Sequence, residues 1–358
     1  MPVAPYRIGI IGTGNIAHAH IAGYRAILGD RGTVAAVCDT RTDVAAAFQE
    51  KYGIDHVFPD ARSLIDAGVA DVLVLLTPPA VRDEVIHPAL EAGIPILVEK
   101  PFGTDGVKAV EYVRAAADRG VPIAVGQNFR WFPEHQWMRK VLDAGTLGTQ
   151  TFIEARSFQD RPQQPGPWRA VERKLEMAIF SVHLIDRMQW LAPGIPTTVC
   201  AVTRRDPEHG IPGEQFSSLI VQFSDGVVGQ MTSSWRARAL PVNSMRVDLT
   251  GGSVAVERPH PMHGDAVGRF AVRGGDRVEE ETFPDTERLH GRYSYGHSMA
   301  AFLDSLRAGT EPPHSGRNNL RTMGIMEAAY LSAGRGGSAV TVTEALGGYE
   351  LDAPGAAR

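Results

Sequence analysis

The stretch 9-GIIGTGNIA-17 contains the end of a short apolar strand and the start of a helical pattern. Its Gly12, Gly14 and Ala17 form a GxGxxG/A pattern, in which glycines allow a tight turn and a close backbone approach while the helix N-terminus attracts a pyrophosphate. Alone this is a weak signal, because a tight structural turn gives the same residues. Asp39, however, ends the next strand, at the distance of about 20 residues that the dinucleotide fingerprint expects. The stretch therefore predicts dinucleotide binding.

The strand–turn–helix pattern repeats along the chain as far as position 127. Short apolar strands alternate with amphipathic helices, as a parallel sheet covered on both faces requires; the strands are RIGII, TVAAVC, DVLVLL, IPILVE and PIAVG. We predict an α/β fold with a doubly wound parallel sheet, a Rossmann domain, over residues 1–127.

The pattern changes after position 128. Two helices are followed by strand-like stretches with period-two alternation, which indicate a large, mostly antiparallel sheet with one open face. We assign residues 128–358 to this α+β domain, with roles in substrate binding and oligomerisation. An open apolar face needs cover, and we expect a second copy of the chain to provide it, in a homodimer or homotetramer.

Composition excludes several classes of function. The 358 residues suffice for two domains, and the net charge of -5 offers no basic surface for nucleic acid. We identify neither a signal peptide nor a membrane span, and expect a cytoplasmic protein. Cys38 and Cys200 fit no metal spacing, and we predict no metal site.

Lys100 stands at the end of a predicted strand, in 98-VEKPFG-103. Only five of the 36 basic residues are lysines, and lysine, unlike arginine, can lose its proton near neutral pH. Both this segment and 76-LTPP-79 lie at the carboxyl edge of the predicted sheet, where ligands of open α/β sheets bind. The alternative is a surface lysine beside Glu99.

Asp39 also bears on the choice of cofactor. Its carboxylate can accept hydrogen bonds from ribose hydroxyls and repels a 2′-phosphate, so we expect NAD. Arg41 leaves NADP open, because an arginine just beyond the acid can pair with that phosphate, although a solvated loop arginine is the simpler explanation.

These motifs, with the later 183-HLID-186, resemble the Gfo/Idh/MocA family of oxidoreductases, named for glucose-fructose oxidoreductase and inositol dehydrogenase. The resemblance covers nearly the whole chain and includes 126-GQNFRW-131, 145-GTLG-148 and the segment 302–333. It implies a Rossmann domain, a second domain with an open sheet, a nicotinamide cofactor, sugar or cyclitol substrates, and dimers or tetramers built through that sheet.

The resemblance also implies roles for individual residues. The lysine of the EKP motif contacts the reacting hydroxyl in the family, which gives Lys100 a catalytic role, and the following proline, here Pro101, is often cis. The residues expected to contact the cofactor are Gly12, Thr13, Gly14, Asn15, Ile16, Asp39, Thr40, Arg41, Thr77, Pro78, Pro79, Arg82, Glu99, Lys100, Pro101 and Gln127. Those expected to contact substrate are Lys100, Arg130, Trp168, Arg169 and His183, although packing or solvated roles are ordinary alternatives for Arg130, Trp168 and Arg169.

This chain departs from the family pattern at several positions. The family helix reads D-x-G-x-H-x-x-D, but Ile179 replaces the first acid and Ser181 the glycine. Arg82 stands where the family often has a histidine. An apolar Ile179 predicts a more apolar substrate pocket, which favours a deoxygenated, substituted or aryl-bearing sugar over a fully hydroxylated cyclitol.

An α-helix would align His183 with the other residues of its stripe, Glu176, Ile179 and Asp186. Alcohol oxidation needs a base for the hydroxyl proton while hydride leaves the carbon. His183 has a suitable pKa range and Asp186 can orient its ring, but Lys100 can also act as the base. Glu176 either replaces the missing acid or is a solvated acid at the helix start.

The leading hypothesis is an NAD(P)-dependent dehydrogenase or reductase that acts on a secondary alcohol of a sugar-like substrate. One alternative is an NAD-dependent glycoside hydrolase that oxidises its sugar transiently and then takes the hydride back. Another is a non-catalytic sugar or cofactor sensor, which the intact EKP motif and His183 disfavour.

Overall fold

The computed structural model describes residues 4–161, 169–275, 277–285 and 290–351, apart from the side chains of Arg169 and His209. Its strands are β1 (Tyr6–Ile11), β2 (Gly32–Cys38), β3 (His56–Phe58), β4 (Val72–Leu75), β5 (Ile96–Val98), β6 (Ile123–Val125), β7 (Gln150–Phe158), β8 (Pro196–Arg204), β9 (Phe216–Phe223), β10 (Val228–Ser234), β11 (Val242–Leu249), β12 (Gly252–Glu257), β13 (Ala266–Val272), β14 (Val278–Phe283) and β15 (Val340–Thr341). Its α-helices are α1 (Asn15–Ile27), α2 (Thr42–Tyr52), α3 (Ala61–Asp66), α4 (Asp83–Glu91), α5 (Gly106–Arg119), α6 (Pro133–Asp143), α7 (Val182–Leu191), α8 (His290–Ala308), α9 (Gly316–Gly334) and α10 (Val342–Ala345). Among the helices of the described residues, none is both long and apolar enough to cross a bilayer.

The chain divides into two compact units. The first comprises Met1–Trp131 and Gly291–Asn319, and the second comprises Phe132–His290 and Leu320–Arg358. The sequence pattern assigns everything after position 128 to the second domain, so the return of 291–319 to the first unit differs from that expectation. The reason is packing: Met299, Phe302 and Leu303 lie in the core of the first unit.

A six-stranded parallel sheet forms the first unit, in the order β3-β2-β1-β4-β5-β6. All residues of β4, β5 and β6 are buried, because helices cover both faces of such a sheet. This confirms the doubly wound Rossmann fold. Helix α8 packs closely on α1, where a Cβ on Gly23 would lie 2.4 Å from the carbonyl oxygen of Arg292. Only glycine permits this backbone approach.

The second unit contains a nine-stranded sheet in the order β14-β13-β12-β11-β7-β10-β9-β8-β15. Its neighbouring strands are antiparallel except for β7 and β10, which are parallel. Burial alternates along β9 and β10, so one face is covered and the other is open, as the sequence predicts. Helix α7 packs on the covered face, where Gly229 of β10 leaves room for the sulfur of Met188.

Candidate active site

The glycine-rich turn connects β1 to α1 and has the geometry of an anion site. Gly12 has a φ of +97°, and a Cβ there would lie 3.2 Å from the carbonyl carbon of Leu76. Gly14 is the N-cap of the 13-residue α1, and a Cβ on it would have no neighbouring atom within 4 Å. Asn15 is exposed and Ile16 partly exposed in the first turn of α1, at the positive end of the helix dipole, which fits a pyrophosphate.

Asp39 lies beside this turn, directly after β2. Its Oδ2 accepts hydrogen bonds from the amide and hydroxyl of Thr13, at 2.9 and 3.0 Å. Its Oδ1 accepts from the amide of Arg41 at 3.0 Å and from its guanidinium Nε at 3.3 Å. Burial raises the pKa of Asp39, but these hydrogen bonds from Arg41 and Thr13 outweigh it, and the pKa falls below its ordinary value. An ionised Asp39 next to the glycine turn, with Thr40 exposed beside it, fits the ribose of NAD.

Arg82 joins the two loops at the carboxyl ends of β4 and β5. The residue is 1% exposed, and its guanidinium donates to the carbonyl oxygen of Thr77 at 3.0 and 3.3 Å and to that of Pro101. Burial lowers its pKa to about 10, although the charge of Glu99 opposes this. Its predicted contact with the cofactor stays a prediction; in the structure its guanidinium holds 76-LTPP-79 and Pro101 together.

Lys100 is partly exposed at the carboxyl end of β5, and its bond to Pro101 is cis. The amide of Lys100 donates to Oε2 of Glu99 at 3.1 Å. The other oxygen of Glu99 lies 2.9 Å from Nε2 of His20, whose Nδ1 lies 2.9 Å from the hydroxyl of Tyr24. Burial raises the pKa of Glu99, but the hydrogen bond to His20 and the charges of His20, Lys100 and Arg82 together outweigh it, and the net shift is downward. Glu99 is thus an ionised acid that holds the backbone of Lys100.

His20 and Tyr24, which lie four residues apart on α1, are not among the predicted site residues. Their spacing of four residues, on the same side of α1 as the apolar Ala17 and Ile21, is the signal that was available. Tyr295 of α8 completes this group, since its ring lies 4.5 Å from that of His20.

Gln127 and Arg130 follow β6. Gln127 is buried, and its backbone N–H donates to the carbonyl oxygen of Val125. Arg130 is also buried and donates to the carbonyl oxygen of Pro313 at 2.9 Å and to Oδ1 of Asn318 at 2.7 Å. The guanidinium of Arg130 therefore has a structural role within the first unit, and its contact with substrate stays a prediction.

His183 is the second residue of α7 and is 5% exposed. Its carbonyl oxygen accepts from Nε of Arg187 at 3.2 Å, and another guanidinium nitrogen of Arg187 contacts Nε2 of His135. Asp186 accepts from the hydroxyl of Thr322 at 2.9 Å. These contacts fix the helix that carries His183.

The helix before His183 is a π-helix over Met177–Ser181, not an α-helix. The predicted alignment of Glu176 and Ile179 with His183 assumed an α-helix throughout, and that assumption is wrong for Met177–Ser181: a π-turn hydrogen-bonds at i→i+5 and adds a residue to the turn. Ile179 is buried, in agreement with its apolar character.

Glu176 is 0% exposed, which excludes a solvated acid at the helix start. Its carboxyl accepts from three serine hydroxyls, those of Ser181, Ser217 and Ser233, at 2.6, 2.5 and 2.7 Å. Burial raises its pKa to about 7; the serines oppose this shift, and the charge of Glu214 adds to it. Glu176 therefore faces β9 and β10.

The side chains of two predicted substrate residues, Trp168 and Arg169, are not described by the structure. Trp168 lies outside the described residues, and Arg169 begins a short 3-10 helix, Arg169–Val171, without a described side chain. Among the described residues, Asp83, His87 and Glu111 could together hold a metal ion. The ammonium group of Lys108 already pairs with Asp83 at 3.2 Å and with Glu111 at 2.7 Å.

Both parts of the chain match models of known protein families. Residues 6–127 match the oxidoreductase family with an NAD-binding Rossmann fold, and residues 135–255 match the GFO/IDH/MocA C-terminal domain. D-apiose dehydrogenase of Paraburkholderia graminis is 26% identical over 342 residues, which cover 93% of this chain and 89% of that protein. Inositol 2-dehydrogenase of Gluconacetobacter diazotrophicus is 30% identical over 210 residues, or 57% and 60% of the two chains.

Among solved structures, an oxidoreductase from Agrobacterium radiobacter in complex with NAD+, L-tartaric acid and magnesium has the same fold. The TM-score is 0.84 at 21% identity, and the match covers 95% of this chain and 99% of that one.

Proposed function

Because the chain belongs to the GFO/IDH/MocA family of oxidoreductases, we propose that it transfers hydride between NAD(P) and a secondary alcohol carbon of a sugar or sugar-like substrate. One observation carries this proposal. The carboxyl edge of the parallel sheet combines an open helix N-terminus at Gly14, an ionised Asp39, and Lys100 held by Glu99. NAD is the cofactor that this combination fits.

The chain's own residues supply the proton chemistry. When bound, the nicotinamide accepts hydride from the alcohol carbon or returns it. Lys100 donates a hydrogen bond to the substrate oxygen, which gains negative charge as the C–H bond breaks. The hydroxyl proton passes to a base, either His183 or a neutral Lys100. The alcohol thus loses one hydride and one proton and becomes a ketone.

We also propose that the substrate carries fewer hydroxyl groups than a cyclitol on the side that Ile179 faces. The apolar side chain replaces an acid of the family pattern and offers no hydrogen bond to a sugar hydroxyl. A site that leaves a substrate hydroxyl unpaired binds it less well. Oxidation of myo-inositol as efficient as that of any glycoside tested would refute this part.

For assembly, we propose that two copies pair through the open face of the nine-stranded sheet. Val202 of β8 and Ile220 of β9 are large apolar side chains exposed on that face, and pairing of two copies would remove them from water.

The experiment is an absorbance screen for reduced nicotinamide, with many sugars, polyols and glycosides and with NAD+ and NADP+ in parallel. We expect net reduction with at least one secondary alcohol and a preference for NAD+. A glycoside hydrolase would release free sugar without accumulating reduced cofactor. Failure of every alcohol to reduce either cofactor, and of every matching ketone to oxidise the reduced forms, would contradict the proposal.

A further inference from the structure

Glu176 connects the sheet of the second unit to the turn that precedes His183. Ser217 and Ser233 lie directly opposite each other on β9 and β10, both on the covered face. One hydroxyl donates to each oxygen of the Glu176 carboxyl, at 2.5 and 2.7 Å. The carboxyl is therefore anchored to two adjacent strands.

The third donor, Ser181, lies five residues after Glu176 and ends the π-helix. A separation of five residues is the repeat of a π-turn and not of an α-turn, in which residues three or four apart are neighbours. The 2.6 Å bond from Ser181 to Glu176 thus spans the wide turn and favours it over the regular one.

We propose that Glu176 is a positioning residue for His183, and that its three serine contacts hold the π-turn whose width sets the direction in which the imidazole points. This inference rests on the proposed role of His183. Ser181 directly precedes α7, and His183 is two residues further on. Removal of one residue from the turn would rotate everything after it by about 100°, the angle per residue of an α-helix.

Neighbouring groups fix the other side of the same turn. The carboxyl of Glu214 accepts from the amides of Leu175 and Met177, each at 2.9 Å. The hydroxyl of Tyr330 accepts from the amide of Ala178 at 3.1 Å and donates to Glu214 at 2.7 Å. These contacts hold the first amides of the turn, whereas the bond from Ser181 to Glu176 lies at its end, where it enters α7.

The test compares two neighbouring serines of β9. Ser217 faces Glu176, whereas Ser218 lies on the open face with its hydroxyl 3.1 Å from that of Thr232. We expect Ser217→Ala and Ser181→Ala to lower kcat by about 10- to 100-fold, the loss that a displacement of about 1 Å can cause. KM should change little, and the pH profile of kcat should shift. Ser218→Ala should keep the kcat and pH profile of the unchanged protein.

Glu176→Met should lose kcat as well, and Glu176→Gln should restore most of it, because an amide can keep contacts to all three serines. Rates are expressed per NAD-binding site, so that loss of folded protein is not counted as loss of chemistry. Unchanged kcat and pH profile in both Ser217→Ala and Ser181→Ala would overturn the inference. His183→Asn separates the two proposals: if it leaves kcat intact, the proposed role of His183 fails, whatever the serine variants do.

Discussion

Replacement of Asp39 by asparagine should change the cofactor preference. The substitution keeps the shape of the side chain and removes its charge. In the structure the carboxylate is 9% exposed and accepts from Thr13 and Arg41, and the asparagine oxygen can keep only part of these bonds. The main effect of the substitution is therefore the loss of one negative charge beside the glycine turn.

The magnitude follows from the charges around Asp39. Two like charges about 4 Å apart repel by about 4 kcal/mol at an effective dielectric constant of ~20. The Arg41 guanidinium beside Asp39 offsets part of this, but its side chain is 61% exposed and solvent screens it. We therefore expect the change to favour NADP+ by about 2 kcal/mol, or about 30-fold. NAD+ should bind about 5-fold more weakly, because a hydrogen bond to a charged group is stronger by about 1 kcal/mol than one to a neutral group.

Isothermal titration at fixed salt concentration measures both dissociation constants, and the ratio for NAD+ and NADP+ should shift by about 150-fold. Asp43→Asn is the control, because Asp43 is an exposed acid in the first turn of α2. An unchanged ratio in Asp39→Asn, or an equal shift in Asp43→Asn, would refute the reasoning.

Three further changes test other parts of the structure. Glu134→Ala removes the bidentate partner of the buried Arg258 and should lower the free energy of unfolding by about 3–5 kcal/mol; a loss below about 1 kcal/mol in urea titration would contradict this. Burial raises the pKa of Glu176 from 4.5 to about 7, so the folded state retains a proton that the unfolded state releases and stability falls as pH rises through this window. In Glu176→Gln the free energy of unfolding should fall by about 3 kcal/mol less over this pH range than in the unchanged protein. Parallel curves of stability against pH for the two proteins would contradict the raised pKa. Ile220→Arg, at a position 49% exposed on the open face, should reduce the sedimentation coefficient to that of a smaller species, and an unchanged coefficient would argue against pairing through this face.

Local signals explain what the sequence predicted well. The glycine turn, Asp39 and the apolar strands of the first unit depend on residues close together in the chain, and the structure has them in the expected elements. The alternating strands of the second unit predicted a sheet with one open face for the same reason. The sequence pattern placed both helices of the second domain before its strands, so it missed β7, which lies between α6 and α7 and whose burial alternates.

Long-range contacts explain what the sequence did not predict. The π-turn depends on Ser217 and Ser233, which lie 41 and 57 residues from Glu176. Glu99 meets His20 across 79 residues. A helical pattern shows that α8 has a buried face but not which core it enters. These partners are decided by tertiary packing, so no periodicity in a single segment reveals them.

The most direct test of the proposed function is the turnover of Lys100→Met, measured with the best substrate of the cofactor screen. Methionine keeps an unbranched side chain and removes the ammonium group that is proposed to bind the substrate oxygen. We predict that steady-state reduction of NAD+ is abolished while the dissociation constant for NAD+ stays within about threefold, a change below about 1 kcal/mol. Turnover equal to that of the unchanged protein would remove Lys100 from the mechanism and contradict the proposed active site.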